Sequence, residues 1–208
     1  MMKKAILVLA IFAFVATGAF GQLVLGVTGV QYYEEDPVTG KLPTLGEAWG
    51  DFRDGTGVYW GGFAELIMGK TGLGLSFNQQ TLKDASEPSG ILDMWNYDVN
   101  LSLSYHVFGG RAFIDPFLQA GVGLLAFDYK DKAGAATIYN GINPDEPLFG
   151  SNYFDFGLGL GVNFGGIGIF FKGMYNVQSS TPLYENNGYS YPWPVMPFKW
   201  VFGAKLIL

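Results

Sequence analysis

The sequence predicts an eight-stranded antiparallel β-barrel that crosses a membrane, and three observations lead to this prediction. Alternation of apolar and polar side chains with a period of two recurs eight times along the chain. The connections between the alternating segments are short and long in turn. The N-terminus has the form of a secretory signal, so we expect the protein to be exported.

The clearest alternation covers residues 95–107, where odd positions are apolar or aromatic and even positions are polar. Successive side chains of a strand point to opposite faces, so this strand has one apolar and one polar face. It is longer than the usual soluble strand of about 5–6 residues, and a tilted strand needs roughly 9–11 residues to cross a bilayer. An apolar outer face and a polar inner face are typical of a transmembrane barrel.

The N-terminus carries Lys3 and Lys4, an apolar run over residues 5–15, and small residues at Ala19 and Gly21. These are the parts of a signal peptide and its cleavage site. No other apolar run approaches the ~20 residues of a spanning helix, so insertion must be by strands. The chain is therefore expected to divide into a secretory signal peptide over residues 1–21 and one outer-membrane β-barrel domain over residues 22–208.

The composition fits a barrel and excludes nucleic acid as a partner. The chain has 31 glycines, above a usual share of about 7%, and barrels use glycine at crowded interior positions and in turns. It has no cysteine, so stability must come from burial or from the bilayer. Without the two signal lysines its formal net charge changes from −6 to −8, whereas phosphate binding needs a basic surface.

The first four strands are predicted over roughly residues 23–32, 58–68, 72–78 and 95–107. In the second strand Tyr59 and Glu65 have the parity of the inner face. The side chains assigned to lipid in the first three strands are Leu23, Leu25, Val27, Val58, Trp60, Ala64, Leu66, Leu73, Leu75 and Phe77.

The last four strands are predicted over roughly residues 113–129, 154–163, 167–178 and 198–208. Pro116 cannot donate to a ladder, so it should lie at a strand start or a bulge. The side chains assigned to lipid are Ile114, Leu118, Val122, Leu124, Phe154, Phe156, Leu158, Leu160, Val162, Ile167, Ile169, Phe171, Tyr175, Val177, Phe198, Trp200, Phe202, Ala204 and Leu206.

The connections fall into two classes. Tight turns are predicted at residues 69–70, 109–111 and 165–166, and long loops at 33–57, 83–93, 130–152 and 179–197. In outer-membrane barrels short turns face the periplasm and long loops face outward. Aromatic residues favour the membrane interfaces, so we expect one girdle near the turns and another near the loops, the second including Tyr32, Tyr59, Trp60, Trp95, Tyr97, Tyr129, Tyr153 and Trp200.

Residues 115–123, Asp-Pro-Phe-Leu-Gln-Ala-Gly-Val-Gly, match a strand pattern of small outer-membrane barrels, Pro–aromatic–aliphatic–x–Ala–Gly–x–Gly. With the signal, the eight strands and the loop asymmetry, the whole mature chain resembles the eight-stranded barrels of the OmpA, OmpX and OmpW type. The resemblance implies a bacterial outer-membrane location, contact with outer-membrane lipid and insertion by the outer-membrane assembly machinery. That family usually ends in an aromatic residue, whereas this chain ends in Leu208.

Charged side chains on the polar faces are the candidates for a functional interior. An eight-stranded barrel is just wide enough for its side chains to fill it, and an unpaired buried charge costs several kcal/mol, so we expect ion pairs. A narrow channel for small or apolar solutes is the alternative, because several strands present small residues inward. The candidates are Glu65, Asp98, His106, Asp115, Asp155, Lys172, Lys199 and Lys205.

Ser102, Ser104 and His106 share one face and suggest a Ser–His hydrolase, the more distant alternative of a lipid-modifying enzyme. Alternate residues of a strand lie roughly 6.5–7 Å apart, beyond the ~2.6–3.2 Å that a nucleophile and its base need. We therefore expect no catalytic residues and no enzymatic activity. A single histidine also argues against a metal site, and no cofactor is expected.

The fourth loop is the candidate recognition surface, because Tyr and Trp give rigid contact area and Pro restricts loop freedom. Its candidates are Tyr184, Tyr189, Tyr191 and Trp193. The predicted function is a membrane scaffold that displays four loops outside the cell, with an extracellular protein, glycan or lipid as the ligand. The rival fold, a soluble lipocalin-like barrel, does not fit, because the polar face of residues 95–107 would line its apolar cavity.

Overall fold

Eight strands close into one barrel in the computed structural model, and two more form a separate hairpin. The structure describes residues 21–33, 39–55, 57–86, 91–131, 149–178, 183–186, 189–192 and 196–208. The predicted signal peptide lies outside these residues except for Gly21, so its cleavage stays a prediction.

The barrel strands are β1 (Gln22–Tyr33), β2 (Tyr59–Met68), β3 (Thr71–Ser86), β4 (Ile91–His106), β5 (Ile114–Asp131), β6 (Phe149–Phe164), β7 (Ile167–Gln178) and β10 (Phe198–Ile207). A helix, α1 (Leu45–Asp54), lies between β1 and β2. The short strands β8 (Leu183–Asn186) and β9 (Tyr189–Pro192) pair between β7 and β10.

Every barrel strand is antiparallel to its two neighbours, and β1 closes the barrel by pairing with β10. The closing register runs from Val24 opposite Ile207 to Tyr33 opposite Phe198. Closure gives each strand a partner on both edges, as a bilayer requires. The predicted fold class, an eight-stranded antiparallel up-and-down barrel, is confirmed.

The outer wall is apolar and the interior is polar, as the alternation indicates. Leu75, Leu103 and Leu158 are 56%, 58% and 66% exposed on the outer wall. Val58 and Phe202 also have outward parity, yet both are buried. The assignment of these two side chains to lipid is therefore wrong, because α1 packs over this part of the wall. Phe198, which the alternation assigns to lipid as well, is also buried, because its ring packs against those of Tyr175 and Trp200.

The tight turns are shaped by glycines in the left-handed region, with φ of 66° at Gly69 and 68° at Gly165. Two predicted loops are shorter than expected, because β3 and β4 extend to Ser86 and Ile91, and β5 and β6 extend to Asp131 and Phe149. A ladder of backbone hydrogen bonds continues as long as both strands stay extended, whether lipid or water surrounds it. Side-chain alternation alone does not mark that limit.

The prediction missed α1, whose start is nevertheless marked in the sequence. The Thr44 hydroxyl accepts a hydrogen bond from the Glu47 backbone N–H, and the Glu47 carboxylate accepts one from the Thr44 backbone N–H. This reciprocal pair is a capping box. These hydrogen bonds hold the pKa of Glu47 below its usual value. The helix ends at Gly55, which has φ 73°. Within the described residues no helix is long and apolar enough to span a membrane.

Three of the aromatic residues expected in the girdle near the long loops face the barrel interior instead. Tyr32, Tyr59 and Tyr153 have the parity of the inner face, and Tyr59 and Tyr153 are 4% and 3% exposed. The position of a residue in the alternation sets the direction of its side chain, whatever the affinity of that side chain for the membrane interface. Trp60 remains outside, and the side chains of Trp95 and Tyr129 lie outside the described part of the chain.

Leu101→Arg tests the assignment of the outer wall. Leu101 is 49% exposed on the lipid face of β4, and a charge near the bilayer centre should lower the free energy of unfolding by about 2–4 kcal/mol. Urea unfolding in lipid vesicles measures the effect. Val177→Arg, near the loop end of β7, is the matched control and should cost only about 0–1 kcal/mol. Equal costs would contradict the proposed depth of Leu101.

Candidate functional site

The barrel interior brings together all eight charged candidates. Six of them are buried, while Glu65 and Lys172 are partly buried. Seven of the eight form two clusters, which are separated along the barrel axis by aromatic rings. Lys172 belongs to neither cluster and donates to the Gln119 side-chain carbonyl at 2.8 Å. The buried candidates are Asp98, His106, Asp115, Asp155, Lys199 and Lys205.

The cluster nearer the long loops is centred on Lys199 and is called the upper network here. The Lys199 ammonium lies 2.8 Å from the Asp155 carboxylate and donates to the Tyr153 hydroxyl at 3.1 Å. Tyr153 in turn donates to Asp98. Asn100 donates to Asp155 at 3.1 Å. The upper network therefore joins β4, β6 and β10 through charge-assisted hydrogen bonds.

The cluster nearer the turns is centred on His106 and is called the lower network here. The His106 Nδ1 lies 2.8 Å from Asp115, and its Nε2 lies 3.3 Å from Glu65 and 3.1 Å from Ser104. Ser104 also hydrogen-bonds Glu65. Lys205 lies 3.4 Å from Asp115. Each carboxylate thus has a cationic or hydrogen-bonding partner, which reduces the cost of burying its charge.

Three phenylalanines lie between the two networks and are called the aromatic layer: Phe63, Phe117 and Phe170. The rings of Phe63 and Phe170 are 5.3 Å apart, and those of Phe117 and Phe170 are 6.5 Å apart. Each ring lies over a glycine that is its cross-strand partner, and a Cβ there would collide with it. The pairs are Phe63 with Gly26, Phe117 with Gly159, and Phe170 with Gly203.

The remaining space in the interior is small. The cavity that touches both networks and the aromatic layer has a volume of about 50 Å³. It is large enough for only a few water molecules. Between the two networks, the described interior is therefore narrowed to this small cavity.

The expectation that Ser104 and His106 stay apart is wrong, because their reactive atoms lie 3.1 Å apart. The backbone spacing along a strand does not limit how far two neighbouring side chains can lean toward each other. With Asp115 they have the order of a Ser–His–Asp triad. Ser104 is 5% exposed and already bonds Glu65, so this arrangement presents no free nucleophile.

No group of three or more His, Asp or Glu side chains suited to a metal ion occurs among the described residues. The loop candidates are placed only in part. Tyr184 pairs with Tyr191 in the β8–β9 hairpin, which also contains Tyr189. Their side chains and all of Trp193 lie outside what the structure describes.

The interior also contains residues that the sequence analysis did not place there. Tyr153 is a member of the upper network with a cation–π contact to Lys199, whose ammonium lies 4.4 Å from the ring centre. Tyr153 has the same parity in β6 as Asp155, so the alternation could have identified it. The aromatic layer could not be found in this way, because its members come from three strands with no local sign of their meeting.

The comparisons with known proteins concern the fold. Neither a protein-family model nor a curated protein matches the chain. The structure is similar to the N-terminal β-barrel domain of Pseudomonas aeruginosa OprF, with a TM-score of 0.50 and 14% identity over 91% of this chain and 98% of that one. The chain folds as a small outer-membrane β-barrel.

Two further structures match with lower scores. A major outer membrane protein from Thermus thermophilus has a TM-score of 0.45 and 10% identity, over 90% of this chain and 99% of that one. Ail, the attachment invasion locus protein of Yersinia pestis, was solved in complex with the heparin analogue sucrose octasulfate. Its TM-score is 0.43 and its identity 12%, over 91% of this chain and 99% of that one. The closed barrel and its apolar outer wall have the architecture with which strands cross a bacterial outer membrane.

Lys199→Met tests the upper network. Removal of the ammonium leaves the Asp155 carboxylate buried without its cation, which should lower the free energy of unfolding by about 3–5 kcal/mol. Urea unfolding in vesicles gives the value. Lys70→Met, in the exposed β2–β3 turn, makes the same chemical change and should stay within about 0.5 kcal/mol of the wild type. A Lys199→Met barrel as stable as the Lys70→Met control would show that the pair does not hold the strands together.

Proposed function

We propose that the protein is a closed outer-membrane scaffold that holds four loops at the cell surface, in a structural or surface-recognition role without catalytic activity. The observation that carries the proposal is the packed interior. Two polar networks and the aromatic layer leave a cavity of about 50 Å³. A barrel filled in this way offers no route for solutes, so what it presents to its surroundings is its loops and its wall.

The loops of the described structure support a display role. All three short turns lie at one end of the barrel, and the connections at the other end include α1 and the β8–β9 hairpin. Binding residues commonly lie on loops that a rigid scaffold positions. The ligand class is an extracellular protein, glycan or lipid, with Tyr184, Tyr189, Tyr191 and Trp193 as the contact residues.

The same features speak against the two other functions. A channel for small or apolar solutes would need the aromatic layer to be absent or displaced. A lipid-modifying enzyme would need a substrate-sized space at Ser104, and that side chain is buried between Glu65 and His106. Leu208 donates its backbone N–H to the Leu23 carbonyl at 2.8 Å, so this residue takes part in barrel closure. Insertion by the outer-membrane assembly machinery is part of the proposal.

Planar-bilayer conductance is the first test. The refolded barrel is expected to insert without producing current steps, because the aromatic layer and both networks fill its cross-section. A heat-dependent gel shift of the same sample establishes that the silent protein is folded. Steady, reproducible current steps would contradict the closed scaffold and favour the channel.

Replacement of residues 180–194 by a Gly-Ser linker tests whether the fourth loop is displayed rather than structural. Met196 and Pro197 are kept, because their carbonyls accept from Asn176 at 3.1 and 2.8 Å. The midpoint of thermal unfolding should stay unchanged, since external connections tolerate replacement. The binding of glycans by the wild-type barrel and by the barrel with the replaced loop is then compared on a glycan array. Failure of the replaced barrel to fold would mean that this loop is part of the barrel's packing.

A further inference from the structure

Helix α1 packs against the outside of the barrel, over the wall formed by β1, β2 and β10. The Phe52 ring lies 4.8 Å from that of Phe202 and 5.1 Å from that of Trp60. The Trp49 ring lies 5.4 Å from that of Phe202. Because Trp60 and Phe202 both have outward parity, the apolar face of α1 covers a part of the wall that would otherwise meet lipid.

Specific features of the wall hold α1 in this position. The Trp200 Nε1 donates to the Pro43 carbonyl at 3.4 Å, and the Tyr33 hydroxyl donates to Asp51 at 3.3 Å. Gly29 lies directly beneath the Phe52 ring, and a Cβ at this position would collide with the ring. The helix is therefore held on the barrel wall by one hydrogen bond near each of its ends. Between them, the absence of a side chain at Gly29 leaves room for the Phe52 ring.

An apolar groove runs along the wall beside α1. Its volume is about 570 Å³, within the range of roughly 300–1,000 Å³ that is common for ligand sites. Its surface is almost entirely hydrocarbon and aromatic. Helix α1 forms one side of the groove through Leu45 and Trp49. Strands β1, β6, β7 and β10 form its floor through Val27, Leu160, Ile169 and Phe202.

The groove is continuous with the lipid-facing wall. Val27 and Ile169 on its floor are 61% and 58% exposed, and Trp49 on its side is 54% exposed. In a bilayer these surfaces meet hydrocarbon chains and not water. The groove has almost no polar surface with which to orient a headgroup, so its chemistry fits the chain of a lipid only.

We propose that this groove binds one acyl chain of an outer-leaflet lipid, with α1 as the side that holds the chain against the barrel. A chain on the bare wall has contacts on one side. A chain in the groove also packs against Leu45 and Trp49 of α1, and this added apolar contact favours its retention. The site lies on the outer face of the barrel wall.

The position of Trp49 is tested with the full-length barrel in nanodiscs of phosphatidylcholine brominated in the middle of one acyl chain. Trp49→Phe keeps an aromatic ring and removes one emitter, so the difference between wild type and variant isolates the emission of Trp49. The bromine should quench that emission and aqueous acrylamide should not. Quenching by acrylamide without quenching by bromine would overturn the proposal, because this face of α1 would then lie in water.

Lipid retention is tested by native mass spectrometry of the same barrels after transfer from nanodiscs to detergent. Gly29→Val should displace Phe52, and with it α1, while the barrel stays closed. Ala64→Val makes a similar enlargement on the lipid face of β2, away from the groove, and serves as the matched control. The heat-dependent gel shift confirms that both variants are folded.

The wild type and Ala64→Val are expected to carry a bound phosphatidylcholine that Gly29→Val has lost. Equal retention in all three proteins, or no retained lipid in the wild type, would overturn the proposal. A dimer that Gly29→Val abolishes would overturn it too, because the groove would then be an interface with a second copy of the chain.

Discussion

The pairing of β1 with β10 is the constraint on which the rest of this structure depends. No water reaches the hydrocarbon core, so every backbone N–H and C=O of a spanning strand must bond within the protein. The register from Val24 opposite Ile207 to Tyr33 opposite Phe198 gives the first and last strands those partners. The register also fixes which side chains of these strands face lipid, because a shift by one residue would turn the lipid-facing side chains of the shifted strand inward.

Closure with eight strands leaves an interior that side chains must fill, and this barrel fills it by two means. Large rings lie over glycines on the neighbouring strand, as Phe117 does over Gly159. Charges occur in bonded sets around Lys199 and His106. Ring and glycine are complementary in volume, and each cation reduces the cost of burying nearby carboxylates. The glycine-rich faces therefore provide room for the side chains opposite them.

The outer wall departs from a uniform lipid-facing surface at one place. Helix α1 shields Phe202 and Val58 and forms one side of an apolar groove. The first connection thus folds down on the barrel instead of extending only from its end, and its seat depends on Gly29 having no side chain. The membrane therefore surrounds the barrel and also supplies the acyl chain that is proposed to bind in the groove.

Period-two alternation by itself determined the number of strands in the barrel, their two faces and the inward direction of charged residues such as Asp98 and Lys199, because these properties depend only on neighbours in the sequence. It even carried the information that Tyr153 points inward. It did not predict α1 or the β8–β9 hairpin. Only the tertiary structure decided that Lys199 meets Asp155, that Ser104 meets His106, and that α1 rests on Gly29. The physical reason is that contacts across or outside a barrel depend on strand register and on the lean of each side chain. Both are settled only when the whole sheet closes.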